Sequence, residues 1–404
     1  MTGTGRSRWS RWFVVLSVAF LVCWRLGALV GIPRRAEVIL ALFGFVFHVV
    51  FGMAYLLIPS YFGTVLSTDR IPLVHLVLAV SGTVLLVLSA FAVGPPSLGM
   101  LGALLWSGGV AAFVTALLWS IRDELRRGET GTASHRQAYE WVDRYANRFV
   151  PVAFFYLVVG SYELLARSTT LPGLTDGYFP RITHLLAAGF VVLLVFTLGV
   201  RLAPRFHGVP APRALTAVVL PAGAVGPGLV AVGLSSGPVF VAGAVAEAVA
   251  FVGFAALYLV VFLQSDRRRI GSESVLAGVL SGVAGVTIGL TVALGPLAGL
   301  PPFSAAAVQA HLQLNLLGFL GLVVVGFALM FFPPTAGRFR GSNERTARLT
   351  IAVLVAGVVV SVVGQFTGGS VVATVGDGVV LIGTFGYGYL LTRLLVEIGA
   401  RRAG

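Results

Sequence analysis

The chain has 404 residues, of which 57% are hydrophobic and only 11% charged, and it carries a formal net charge of +13. A water-soluble protein of this length needs far more charge to cover its surface, so a soluble globular fold is excluded. The arginines sit in short loops between apolar runs, which is the mark of membrane topology and excludes a nucleic-acid-binding face.

Arg6, Arg8 and Arg11 precede the first apolar run, 12–31. This beginning resembles a signal peptide, but it lacks a clear small-x-small cleavage site and many further runs follow. It is therefore read as a first transmembrane helix. The run holds Arg25 and the single cysteine, Cys23. One cysteine allows neither an internal disulfide nor a thiolate metal cluster. Further runs follow at 37–59, 71–93, 98–121, 148–166, 181–204, 213–235, 236–263, 273–296, 306–333, 347–367 and 371–396. Runs of about 20 residues cross a hydrocarbon core roughly 30 Å thick. Helices satisfy their own backbone in lipid, and the runs lack the alternating polarity of barrel strands. The expectation is an all-α integral membrane protein with about 12 transmembrane helices, forming one polytopic domain over 1–404.

With that count, 23 of the 28 basic residues fall on one side, including Arg201 and Arg205. Arg34, Arg35, Arg167 and Arg181 fall on the other, and only Arg25 lies within a span. The asymmetry predicts a multi-pass protein of a prokaryotic cell membrane with both termini in the cytoplasm.

Spans two, six and ten share a pattern. Gly44-Phe45, Pro59 and Gly63 recur as Gly189-Phe190, Pro204 and Gly208, and as Gly318-Phe319, Pro333 and Gly337. In each case the proline lies 15 residues and the last glycine 19 residues after the Gly-Phe. A proline and a glycine so placed end a helix and start a turn. Matched spacing at every fourth span implies three four-helix units related by a pseudo-threefold axis, approximately 1–147, 148–272 and 273–404. A transporter of two six-helix halves would put its long loop after span six, whereas the longest basic loop, 122–147, follows span four.

Histidines within spans are functional candidates by default, because an unpaired one is costly in lipid. His48, His184 and His311 lie on the three repeat helices, and His75 near the inner end of span three. His135 and His207 are expected to be solvated. Counted from the Gly-Phe, His184 and His311 differ in depth by about 3 Å, while His48 lies roughly 16 Å deeper than His311. His184 and His311 are thus the facing pair, in the outer half of the membrane. Glu163, Glu247 and Asp377 also fall within spans. Glu247 reads as a proton relay or as a charge partner for Arg25.

His311-Leu-Gln313-Leu-Asn315-Leu-Leu-Gly318-Phe319, followed by Phe331-Phe332-Pro333 and Gly337-Arg338, resembles the tenth helix of heme-copper oxidase subunit I. The likeness is to its divergent cbb3-like, nitric-oxide-reductase-like and NnrS-type branches. The family architecture of twelve helices in three units matches most of the chain, while the detailed motif covers about 30 residues. The resemblance implies a His-x-His on this helix, the first ligating a high-spin heme and the second a low-spin heme. His311 matches the first, but Gln313 replaces the second. The region of the other low-spin ligand, at the outer end of span two, holds Glu37 and Ile39. The family copper site needs a histidine on helix six, which His184 matches, and a histidine pair on helix seven, which 213–235 lacks. The resemblance therefore implies at most one b-type heme, held at His311 with His184, no copper centre, and no complete oxygen or nitric oxide reductase. Electron transfer, gas sensing or an accessory task in oxygen or nitrogen-oxide respiration would follow, beside a redox partner or respiratory subunit. The alternatives are a cofactor-free polytopic transporter or a scaffold subunit.

Overall fold

The computed structural model describes residues 4–68, 70–234, 237–299 and 304–401, with side chains from Arg8 onward. Of the arginines counted above, the Arg6 side chain and Arg402 lie outside the described residues. The described residues hold no strand. Twelve helices are long and apolar enough to cross a membrane. They are α1 (Arg8–Val30), α2 (Arg34–Tyr61), α3 (Ile71–Ala90), α4 (Ser97–Arg127), α5 (Ser134–Ser168), α6 (Phe179–His207), α7 (Arg213–Gly233), α8 (Gly237–Leu263), α9 (Ser272–Leu294), α10 (Ala305–Ala336), α11 (Glu344–Phe366) and α12 (Ser370–Arg401). They correspond one to one with the expected spans.

The packing repeats every four helices. α3 pairs with α4, α7 with α8 and α11 with α12 in close hairpins. α1 packs on α2, α5 on α6 and α9 on α10. α4 meets α5, α8 meets α9, and α12 returns to α1, so the outer helices close a ring. The repeat helices lie inside that ring. α2, α6 and α10 are buried over 89%, 78% and 78% of their most apolar stretch, against 33–56% for the other nine. They meet through Phe47 stacked on Phe190, through Phe196 against Phe319, and through Phe45 against Gly321.

Two local devices recur in the units. Each repeat helix widens into a π-helical stretch around its Gly-Phe: Ile39–Val46, Leu185–Val192 and Leu314–Gly321. Such widening shifts backbone bonds from the fourth to the fifth residue and is frequent at functional sites. Each hairpin is also closed by facing glycines. A Cβ on Gly82 would meet the Gly102 carbonyl at 3.0 Å, one on Gly226 the Gly243 carbonyl at 3.3 Å, and one on Gly357 the Gly376 carbonyl at 3.0 Å. Without side chains there, the backbones approach closely, as small residues allow in membrane bundles.

The expected helix ends hold with one difference. Gly63 and Gly208 take left-handed conformations, with φ of +70° and +75°. Gly337 is extended at φ −84°, because α10 breaks earlier, at Phe332-Pro333.

The long basic loop is not simply solvated. Its second half folds into the surface segment Glu140–Asn147, and the chain then turns into the membrane part of α5, Val150–Ser168. Arg201, counted with the loop arginines, is buried within α6. Its guanidinium donates to the carbonyls of Tyr61 and Thr130 at 3.2 and 2.8 Å and to the side chain of Asn147. Asp143, fully buried, pairs with Arg201 at 3.1 Å and Arg205 at 2.5 Å. A buried carboxylate between two guanidiniums needs no counterion from solvent. This clamp holds the surface segment against the ends of α2 and α6.

Candidate functional site

The site begins with two histidines brought together by the inner helices. His184 ends the first turn and a half of α6, just before its π-helical stretch. His311 lies in the corresponding outer part of α10. Their rings lie 6.5 Å apart, centre to centre, with planes inclined by 25°. The pair expected from depth alone is therefore adjacent. His48 is elsewhere: it is fully buried against Phe13 and Phe20, and its Nδ1 donates to the Phe43 carbonyl at 2.8 Å. That carbonyl belongs to the π-helical stretch of α2, which accounts for its reach to a side chain five residues on.

Both members of the pair are oriented through the backbone. His184 Nδ1 donates to the Pro180 carbonyl at 2.8 Å, and His311 Nδ1 donates to the Gly285 carbonyl of α9 at 2.9 Å. A carbonyl can only accept, so in each neutral ring Nδ1 carries the proton and Nε2 the lone pair. Histidines that bind a metal are commonly fixed in this way through their other nitrogen. Two α9 glycines make room. A Cβ on Gly285 would strike the Asn315 amide at 2.6 Å, and one on Gly289 would press the His311 ring at 3.1 Å. Asn315 in turn donates to the His311 carbonyl at 2.8 Å. Gly285 and Gly289 were not singled out in the sequence, where their only signal is a four-residue spacing on a small-residue helix.

The rings line a cavity of about 370 Å³, walled by apolar residues of α2, α6, α8 and α10 such as Val38, Ala188, Phe251 and Leu316. Glu247 of α8 also lines it, with Oε1 buried and unpartnered. Arg34 and Arg35 stand at its outer edge, with Arg35 over the Phe179 ring at 5.4 Å. The neighbouring loop is tied down. Buried Glu163 accepts from the Leu174 and Thr175 amides at 2.5 and 3.1 Å and from the Thr175 hydroxyl. Arg181 pairs with Asp176 at 3.1 Å. The Tyr178 amide, together with Arg181, holds the Asp176 carboxyl below its usual range.

Arg25 does not pair with Glu247, contrary to one of the two expectations for them. Its partner is Asp377 of α12, at 2.6 Å. α12 closes the ring onto α1, whereas α8 packs on α7 and α9, and this topology decides the pairing. Ser361 Oγ lies 3.0 Å from Asp377 and 3.2 Å from Gln313 Oε1, which also accepts from Gln365. Beside this group, Glu37 accepts from Trp24 Nε1 at 3.3 Å and from Gln309 Nε2 at 3.2 Å. Gln313 and Glu37, which stand where the resemblance would put low-spin heme ligands, are thus engaged in side-chain hydrogen bonds. The sequence reading missed Ser361, Gln365 and Gln309.

The remaining histidines divide. His135 is exposed as expected. His207 is not solvated: it is 2% exposed and its Nδ1 donates to the Ala203 carbonyl at 2.9 Å. His75 is buried, with Nδ1 3.0 Å from the Tyr55 hydroxyl. Among the described residues, no three His, Cys, Asp or Glu side chains are grouped to hold a metal ion. Compared with known families and with curated proteins, the chain matches no family model and no curated sequence.

Proposed function

We propose that this chain is a divergent relative of heme-copper oxidase subunit I that holds one b-type heme at His311 and His184, without copper, and serves in electron transfer or as an accessory in oxygen or nitrogen-oxide respiration. The observation that carries the reading is the paired imidazoles, each fixed at Nδ1 by a backbone carbonyl and each lining one cavity. The donor set fits the group. Neutral imidazole is a common axial ligand of heme iron, the walls are apolar, and two guanidiniums at the outer edge suit the carboxylates of a porphyrin. A bound heme would supply one-electron chemistry. The chain's own residues do the rest: Gly285 and Pro180 orient the rings, Arg34 and Arg35 bind acidic groups, and Glu247 holds or passes a proton at Oε1. On the opposite side of α10 the residues do not fit a second heme, because Gln313 and Glu37 are spent on neighbouring side chains.

On this reading the protein lies in a prokaryotic cell membrane with its arginine-rich side and both ends in the cytoplasm, beside a redox partner or respiratory subunit. The filled hydrogen-bonding around Gln313 also favours a second reading, a scaffold subunit that has lost its cofactors. A reduced-minus-oxidised absorption spectrum of protein purified in mild detergent separates the two. The expected result is a b-type Soret band that disappears in His311→Ala, weakens in His184→Ala and survives in His48→Ala. A well-folded colourless protein, or full heme retention in His311→Ala, would overturn the heme reading and favour the scaffold.

A further inference from the structure

The surface segment Glu140–Asn147 has two faces. Val142, Asp143, Ala146 and Asn147 point inward and are buried, with Asp143 and Asn147 held by the Arg201 clamp. The other face carries Trp141 and Arg144, both exposed, and Tyr145. The indole of Trp141 stacks on the Tyr145 ring at 5.1 Å and 10°. Immediately beyond lies Arg148, and the first residue of α7, Arg213, reaches over the Trp141 ring at 5.8 Å. These groups enclose a pocket of about 310 Å³. Three guanidiniums line it against one carboxylate, Glu140, which pairs with Arg144 at 2.6 Å. Among the described residues Arg148 and Arg213 have no acidic partner. The pocket sits where α5 and α7 enter the bundle, on the arginine-rich side. Tryptophan and tyrosine favour that depth, at the boundary of hydrocarbon and water.

We propose that this pocket binds a phosphate group presented at the membrane surface, as in the headgroup of an anionic phospholipid. Guanidiniums bind phosphate oxygens through paired, charge-assisted hydrogen bonds. Basic pockets between transmembrane helices at the membrane surface are known headgroup sites. The aromatic pair offers an apolar wall to a lipid backbone. The Arg201–Asp143 clamp holds the segment rigid from beneath, so the pocket exists before its ligand arrives. This inference is independent of the heme reading, since none of its residues touches the His184–His311 cavity.

The test is quenching of Trp141 fluorescence in reconstituted protein, with the signal of Trp141→Phe subtracted. Brominated phosphatidylglycerol in phosphatidylcholine vesicles should quench more than brominated phosphatidylcholine at the same content. That preference should fall about fivefold in Arg148→Gln and likewise in Arg213→Gln. It should be unchanged in Arg338→Gln, which removes a basic residue from a different turn. A second arm adds inorganic phosphate to protein in pure phosphatidylcholine. No response there, with the lipid preference present, assigns the site to a lipid headgroup. A saturable response lost in Arg148→Gln assigns it to free phosphate and retains the phosphate chemistry. Equal quenching by both lipids with no phosphate response, or a preference that survives both arginine substitutions, overturns the proposal.

Discussion

Arg25 and Asp377 show how much a single buried charge constrains this bundle. Arg25 is 1% exposed and Asp377 is 19% exposed, and the two meet at 2.6 Å. Two ions taken from water attract strongly only while both remain, and removing one leaves the other buried without compensation. Arg25→Leu and Asp377→Leu should each cost about 3–5 kcal/mol. The double substitution should cost clearly less than the sum of the two, because the second removes a charge that the first had stranded. Thermal unfolding in detergent measures all three, and simple additivity would contradict a direct pair. The ionisable residues themselves were legible in the sequence, since any charge within a span stands out. Their pairing was not, because the sequence pointed to Glu247 as the charge partner of Arg25, and only the packing of α12 on α1 shows that Asp377 takes that place. The adjacency of His184 and His311 was legible for the opposite reason: equal depth on two inner helices leaves few other arrangements. Arg201 was misread because it lies within two turns of the end of α6 at His207, where a hydropathy count cannot tell a loop arginine from one clamped by Asp143.

At the scale of helices, the three hairpins depend on glycines that no hydropathy pattern reports. α11 and α12 approach so closely that a Cβ on Gly376 would overlap the backbone of Ser361, whereas one on Gly378 would meet nothing within 4 Å. The two glycines lie two residues apart on one helix and share its intrinsic preference for alanine, which favours substitution by up to about 1 kcal/mol. Gly376→Ala should therefore destabilise the protein by about 1–3 kcal/mol or more through overpacking. Gly378→Ala should be neutral or slightly stabilising. The midpoints of thermal unfolding in detergent decide this, and equal effects would mean that the hairpin is not closed by backbone contact. The Gly-Phe, Pro, Gly spacing revealed which helices repeat. It did not reveal the π-helical stretches around each Gly-Phe, because widening by about one residue per turn leaves a largely apolar segment looking the same. Nor did it reveal Glu140–Asn147 as a docked element, since a short segment with four charged or aromatic residues on one face reads as loop until Asp143 finds its arginines.

For the whole molecule, ring closure and charge asymmetry are two independent statements about the same twelve helices. The ring comes from packing, in which the outer helices follow one another and α12 meets α1. The asymmetry comes from sequence, and it survives the loss of Arg201 to the interior, because the opposite side still has only Arg34, Arg35, Arg167 and Arg181. An even number of crossings requires the two ends to share a side, and the cytoplasmic orientation proposed above rests on the excess of arginine there. The assignment is testable at three loops by reporter insertion. Sites must avoid the clamp, since a reporter beside Asp143 or Asn147 would release the surface segment and report on a damaged protein. Exposed residues at 134–136 and at Arg340 avoid it, and on the other side a site near 171 leaves the Leu174 and Thr175 amides on Glu163. A fluorescent protein that matures only in the cytoplasm should be bright at the first two positions and dark at the third. A periplasmic phosphatase should give the complementary pattern. Reversal at all three positions would invert the orientation and leave the ring intact. Reversal at one position alone would mean that a helix between the sites does not cross, which breaks the four-by-four repeat and with it the matched depth of His184 and His311.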